Sequence, residues 1–104
     1  MSEWVNVCEQ AALPMGARQV VSTDAGMVAV FNLDGEYYAI EDRCSHDGTE
    51  IASGVCEGDA IICPRHGARF CIKTGEALTP PAYEAIESFP VRLHDGMVQV
   101  DLDS

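Results

Sequence analysis

Four side chains stand in two tight pairs: Cys44 with His46, and Cys63 with His66, the pairs separated by sixteen residues. Each pair supplies one soft thiolate and one borderline imidazole. Four such ligands satisfy a tetrahedral zinc ion. They equally satisfy a two-iron cluster, with two thiolates on one iron and two imidazoles on the other. Common zinc modules pair Cys with Cys in one loop and His with His in another, so the alternating order separates the two metals only in part. The third reading has no metal and makes all four ordinary residues. Gly48 beside the first pair, and Pro64 and Gly67 beside the second, place both pairs in loops, which argues against coincidence.

The elements that must position these pairs are short and β-type. No long stretch has helical periodicity, and apolar runs of strand length alternate with turn residues. "WVNV" predicts a first strand, and "EQAALPMG" a connection with one helical turn before Pro14. "ARQVVST" is a strand, and "MVAVFNL" and "EYYAIE" form a hairpin across Asp34-Gly35. Two short strands are expected in "EIASGVCEGDAIIC", bounded by Gly54 and by Gly58-Asp59. "ARFCI" and "EAL" are expected to pair across "KTG", and "TPPAY" to form a rigid loop. "IESFPVRLH" and "MVQVDL" form the final hairpin, with Pro90 demoting the first of these strands to an edge or a bulge. The expected fold is all-β, a small sandwich or barrel of nine or ten strands. Both Cys/His pairs fall where a strand ends, so two neighbouring loops can converge on one site.

A chain of 104 residues is one domain with a modest core, a size at which a metal or disulfides often assist folding. No apolar run reaches the roughly 20 residues that span a bilayer. The opening "MSEWVNVCEQ" lacks a basic region followed by an apolar one, so no export signal is read and a cytoplasmic location is expected. In that compartment five cysteines do not suggest a disulfide framework. Cys8 and Cys71 are expected as small buried core residues, and Cys56 also as structural. Trp4, Phe31, Tyr37, Tyr38 and Phe89 are assigned to the core or to half-buried strand faces, and His94 to the surface. Seventeen acidic against six basic side chains give a net charge of −11, which repels nucleic acid and anionic membranes. Four of the six cations, Arg43, Arg65, Arg69 and Lys73, lie in or beside the Cys/His region, so that surface is expected to be less negative than the rest.

"CSH", sixteen residues, then "CPRHGARF" resembles the Rieske iron–sulfur motif, Cys-x-His followed by Cys-x-x-His-Gly. The likeness extends through "FNLDGEYYAIEDRCSHDG", "KTGEALTPPA" and "FPVRLHDGMVQV", nearly the whole chain. It is most similar to the small Rieske-type ferredoxins of bacterial multicomponent non-haem iron dioxygenases, such as the biphenyl and carbazole dioxygenase systems. The resemblance implies a Rieske fold over residues 1–104, with a cluster-binding subdomain at about 42–82 inserted in a basal β domain. It implies one [2Fe–2S] cluster, with Cys44 and Cys63 on a buried iron and His46 and His66 on an outer iron at the tip. Gly48, Arg65, Gly67, Ala68 and Phe70 would surround the cluster, and Pro80 and Pro81 would cover it against water.

With that ligand set, neutral imidazoles in place of thiolates make the added electron less costly than in an all-cysteine cluster. Protein and sulfide fill every iron position, which favours electron transfer over catalysis at the metal. High-potential relatives carry a disulfide between the loops; the matching residues here are Thr49 and Arg65. Where those relatives have Ser and Tyr hydroxyls donating to sulfur, this chain has Ala68 and Phe70, so a potential at the low end of the Rieske range, roughly −150 mV, is expected. The resemblance implies a monomeric, non-enzymatic one-electron carrier. Its partners would be a flavin-dependent reductase, which donates, and a terminal oxygenase, which accepts. Acidic residues around the tip, including Asp47, would steer docking to a basic partner surface, with Arg65 and Arg69 setting register. The other readings are a Rieske-type small subunit of another redox complex, as in nitrite reductase, and a structural Cys2His2 zinc module.

Overall fold

The computed structural model describes residues 2–45, 48–65, 67–80 and 82–103. The described residues form ten strands: β1 (Trp4–Glu9), β2 (Arg18–Thr23), β3 (Gly26–Leu33), β4 (Glu36–Glu41), β5 (Cys56–Glu57), β6 (Ala60–Ile62), β7 (Arg69–Cys71), β8 (Ser88–Phe89), β9 (Val91–His94) and β10 (Met97–Asp101). A 3-10 turn, Gln10–Ala12, follows β1, where the helical turn before Pro14 was expected. Three antiparallel sheets form, ordered β1-β10-β9, β2-β3-β4-β8 and β5-β6-β7. The fold is all-β, and among the described residues no helix is long and apolar enough to cross a membrane.

β3 lies between two cores, which explains its unbroken apolar run. Successive side chains of a strand point to opposite faces. Val28 and Val30 therefore join Leu13, Ala39, Phe89, Val98 and Val100 in one cluster, against the β1-β10-β9 sheet. Ala29 and Phe31 face the other way, into a cluster with Ile40, Ile51, Ile61, Phe70 and Ile72. That second cluster contains both Cys44 and Cys63. The central strand thus fixes the region of the two cysteines relative to the rest of the molecule. The two-residue turn at Asp34-Gly35, with φ of 55° and 94°, holds β3 and β4 in register from Val28 opposite Glu41 to Leu33 opposite Glu36.

Pro90 does more than mark an edge. It divides the expected single strand into two that belong to different sheets: β8 pairs with β4, and β9 pairs with β10. Proline has no N–H to donate, so the ladder is interrupted there. The Pro90 carbonyl still accepts from Asp101 N–H at 2.9 Å, which ties the crossing to β10. The expected pairing of "EAL" reduces to one bridge, Phe70 opposite Ala77, before Leu78 N–H bonds Arg69 O at 2.8 Å. Cys8 and Cys71 are half-buried rather than core residues, because β1 and β7 are edge strands and Cys8 stands at a register shift. Phe31 and Phe89 are buried, while Trp4, Tyr37 and Tyr38 are half-buried and His94 is exposed beside Asp95.

Candidate metal centre

The loops that follow β4 and β6 repeat one backbone arrangement. In the first, Cys44 N–H donates to Thr49 O at 2.7 Å and Gly48 N–H donates to Cys44 O at 2.8 Å. In the second, Cys63 N–H donates to Ala68 O at 2.7 Å and Gly67 N–H donates to Cys63 O at 3.0 Å. Both loops therefore close a bond from position five to position one and another from position one to position six. Both turn through a glycine at positive φ, 79° at Gly48 and 74° at Gly67, a conformation that side chains with a Cβ adopt only with strain. Cys44 and Cys63, at the matching first positions, are 0% and 1% exposed. Among the described residues no disulfide engages any cysteine.

Long-range bonds hold the first loop. Asp42 Oδ1 accepts from Ile51 N–H and Ala52 N–H, both at 2.8 Å, and so pins the end of the loop to its beginning. Arg18 on β2 reaches the same stretch, donating to Ala52 O at 2.7 Å and Gly54 O at 2.5 Å while its guanidinium stacks 5.7 Å from the Phe31 ring centre. A Cβ at Gly54 would lie 1.8 Å from Ile62 O, so only glycine lets this stretch pass the strand that delivers Cys63. Glu50 accepts from the Ser53 hydroxyl and from Ser53 N–H, which hold its carboxyl below the usual carboxylate range. Asp42 and Arg18 carry no local motif. The nearest sequence signal is an Asp two residues before the first cysteine.

Segment 77–86 joins the two loops. Arg69 N–H, on the strand leaving the second loop, donates to Thr79 Oγ1 at 3.0 Å. Ser45 Oγ, in the first loop, donates to Glu84 O at 2.6 Å. Gly75, which supports the segment, bonds Ile86 in turn (Ile86 N–H to Gly75 O, 2.9 Å), and a Cβ there would meet Ile86 O at 2.1 Å.

Of the residues that the sequence marks, Cys44, Cys63, Ala68 and Phe70 are all buried in one cluster. Gly48 and Gly67 turn the loops, and Arg65 and Pro80 are exposed. His46, Asp47, His66 and Pro81 lie outside the described residues. The cations near the site differ from expectation. Arg69 is paired with Glu57 at 2.5 Å, Lys73 with Asp59 at 3.5 Å and Arg43 with Glu41 at 3.4 Å, so none of these three lends free positive charge to the loops. A cleft of about 240 Å³ between Asn32, Asp34 and Asp59, and a second beside Arg43 and Thr74, are both lined by residues other than the two cysteines.

The model of the Rieske [2Fe-2S] domain matches residues 3–90. The chain belongs to the Rieske [2Fe-2S] domain family. It is 40% identical over 99 residues to the 3-phenylpropionate/cinnamic acid dioxygenase ferredoxin subunit of Escherichia coli (strain K12), covering 94% of this chain and 92% of that relative. Among solved structures it is similar to the ferredoxin of Sphingomonas yanoikuyae B1, with a TM-score of 0.86 at 32% identity, covering 95% of this chain and 98% of that one. It is also similar to a chain in the complex of reduced oxygenase and oxidized ferredoxin in carbazole 1,9a-dioxygenase, with a TM-score of 0.87 at 30% identity, covering 94% and 92%. As a Rieske domain the chain carries one [2Fe–2S] cluster. The donor chemistry fits: two reduced, buried thiols at equivalent positions of two matching loops suit the thiolate-ligated iron of such a group.

Proposed function

We propose that this Rieske protein is the ferredoxin component of a ring-hydroxylating dioxygenase system, a one-electron carrier between a flavin-dependent reductase and a terminal non-haem iron oxygenase. The supporting observation is the repeated backbone arrangement around Cys44 and Cys63. Two equivalent thiols, each fixed by its own loop, are what a symmetric two-iron, two-sulfide core requires of its protein. Cys44 and Cys63 would hold the inner iron, and His46 and His66, each two or three residues further along, the outer one. When bound, the cluster accepts and releases one electron.

The chain's own residues restrict that chemistry. The tight loops hold both thiols rigidly, so little reorganisation accompanies a change of charge. Ala68 and Phe70 are fully buried and offer no hydroxyl to sulfur, so they give the extra negative charge of the reduced state no added stabilisation. Thr79 and Ser45 anchor the segment containing Pro80 across both loops. The protein acts as a monomer in the cytoplasm on this reading, because a small carrier must dock with two partners in turn.

The purified protein is expected to contain about two irons and two acid-labile sulfides per chain. Its reduced EPR spectrum should have the low average g of a histidine-ligated cluster. Cys44→Ser and Cys63→Ser should each lose the visible spectrum, while Cys8→Ser keeps it. One zinc without sulfide, or a Cys63→Ser protein with an unchanged spectrum, refutes the assignment.

A further inference from the structure

Five of the six cations are engaged within the molecule. Arg18 holds backbone carbonyls, Arg43, Arg69 and Lys73 pair with acids, and Arg92 lies 4.1 Å above the Trp4 ring and donates to Gln99. Arg65 is exposed and, among the described residues, makes no ion pair, hydrogen bond or ring contact. It stands between Cys63 and His66 in a chain of net charge −11. Among the described residues Arg65 is therefore the one Lys or Arg side chain without an internal partner, and it sits on the second candidate ligand loop.

The segment bonded to both loops exposes apolar side chains. Tyr83 is 82% and Leu78 47% exposed, and Pro80 is exposed between them. All three belong to the segment tied to Arg69 at one end and to Ser45 at the other. An aromatic ring on a backbone fixed at both ends is preorganised, so it loses little entropy on contact. Tyr and Arg are also the residues that most often dominate binding energy at interfaces.

We infer that Arg65 and Tyr83 form the docking centre for the electron-accepting oxygenase, Arg65 meeting a carboxylate and Tyr83, flanked by Leu78 and Pro80, entering an apolar recess. The partner surface around that carboxylate is basic, complementary to the acidic remainder of this chain. The inference rests on the carrier reading above. It replaces diffuse attraction with one specific pair: a lone cation in an acidic field rejects partners that present a basic group at that point.

The test is stopped-flow reduction of an oxygenase by the dithionite-reduced holoprotein, with the oxygenase component of the E. coli 3-phenylpropionate/cinnamic acid dioxygenase as probe. Arg65→Glu is expected to lower the second-order rate about tenfold at low ionic strength, and Arg65→Lys to retain most of it. The added negative charge makes the variant a stronger reductant, so slower transfer with an unchanged visible spectrum is assigned to docking. Tyr83→Ala is expected to lower the rate about tenfold at every salt concentration, with the potential and visible spectrum unchanged. Wild-type rates in both Arg65→Glu and Tyr83→Ala overturn the inference and leave the carrier reading intact. A wild-type holoprotein that holds its cluster yet reduces no oxygenase overturns both.

Discussion

Replacing Asp42 by alanine should loosen the first loop without touching either cysteine. The carboxylate accepts two backbone N–H groups, from Ile51 and Ala52, both 2.8 Å away, and these residues are 0% and 5% exposed. A buried donor left without a partner costs about 1–3 kcal/mol, so two cost about 2–6 kcal/mol. Asp42 itself is half-buried, so water can enter the space it leaves and satisfy part of this demand. The expected loss is therefore about 2–4 kcal/mol. At about 1.4 kcal/mol per decade, cluster loss in denaturant would accelerate by about 30- to 1,000-fold if the loop opens before the cluster is released. Asp42→Asn keeps an oxygen acceptor and loses only the charge assistance, which makes such bonds roughly twice as strong as neutral ones. Its expected cost is about 1 kcal/mol. Rate measurement suits this protein better than equilibrium unfolding, because a tightly bound cofactor breaks two-state behaviour. The assay is the decay of visible absorbance in a fixed urea concentration, compared across wild type, Asp42→Asn and Asp42→Ala. An Ala variant that bleaches at the wild-type rate, or an Asn variant as fast as the Ala one, would sink the reasoning.

Gly54→Ala should destabilise by about 3 kcal/mol, at the upper end for overpacking, because the new Cβ meets the Ile62 backbone oxygen at 1.8 Å; a thermal melt within a degree of wild type would contradict this. Phe70→Tyr, alone or with Ala68→Ser, should raise the reduction potential by offering hydroxyls toward sulfur, checked by voltammetry alongside a structure showing those bonds. An unchanged or lower potential with the bonds formed refutes that account. The Asp101 carboxyl is held below its ordinary range, chiefly by Glu3 N–H at 2.8 Å, with Asp103 N–H at 3.0 Å adding to it. Its stabilising contribution is full above the unfolded pKa of about 3.9 and is lost as pH falls through the lower folded value. Asp101→Asn should therefore flatten the acid limb of the stability curve, and an unchanged slope below about pH 4 in acid-unfolding titrations would count against it.

Features that depend on near neighbours were legible in the chain's residue order. Cys44-x-His46 and Cys63-x-x-His66 are readable because two candidate donors on one short loop must be close in sequence to reach one centre, and they led to the Rieske family. The β3–β4 hairpin was equally legible, since Asp34-Gly35 is a local conformational requirement at positive φ. Tertiary structure decided whatever depends on residues distant in the chain. Nothing near Pro90 says that the strand before it joins β4 and the strand after it joins β10. Arg18 bonds carbonyls 34 and 36 residues away, and no local signal distinguishes it from any surface arginine. Charge near the candidate centre shows the difference most directly. Composition places four cations around the loops, but Arg43, Arg69 and Lys73 are neutralised by acids that folding brings alongside, while Arg65 has none among the described residues. Residue type fixes the sign of a charge; only the packing of strands fixes which charges cancel, because Coulomb attraction between exposed groups is short-ranged in water and salt.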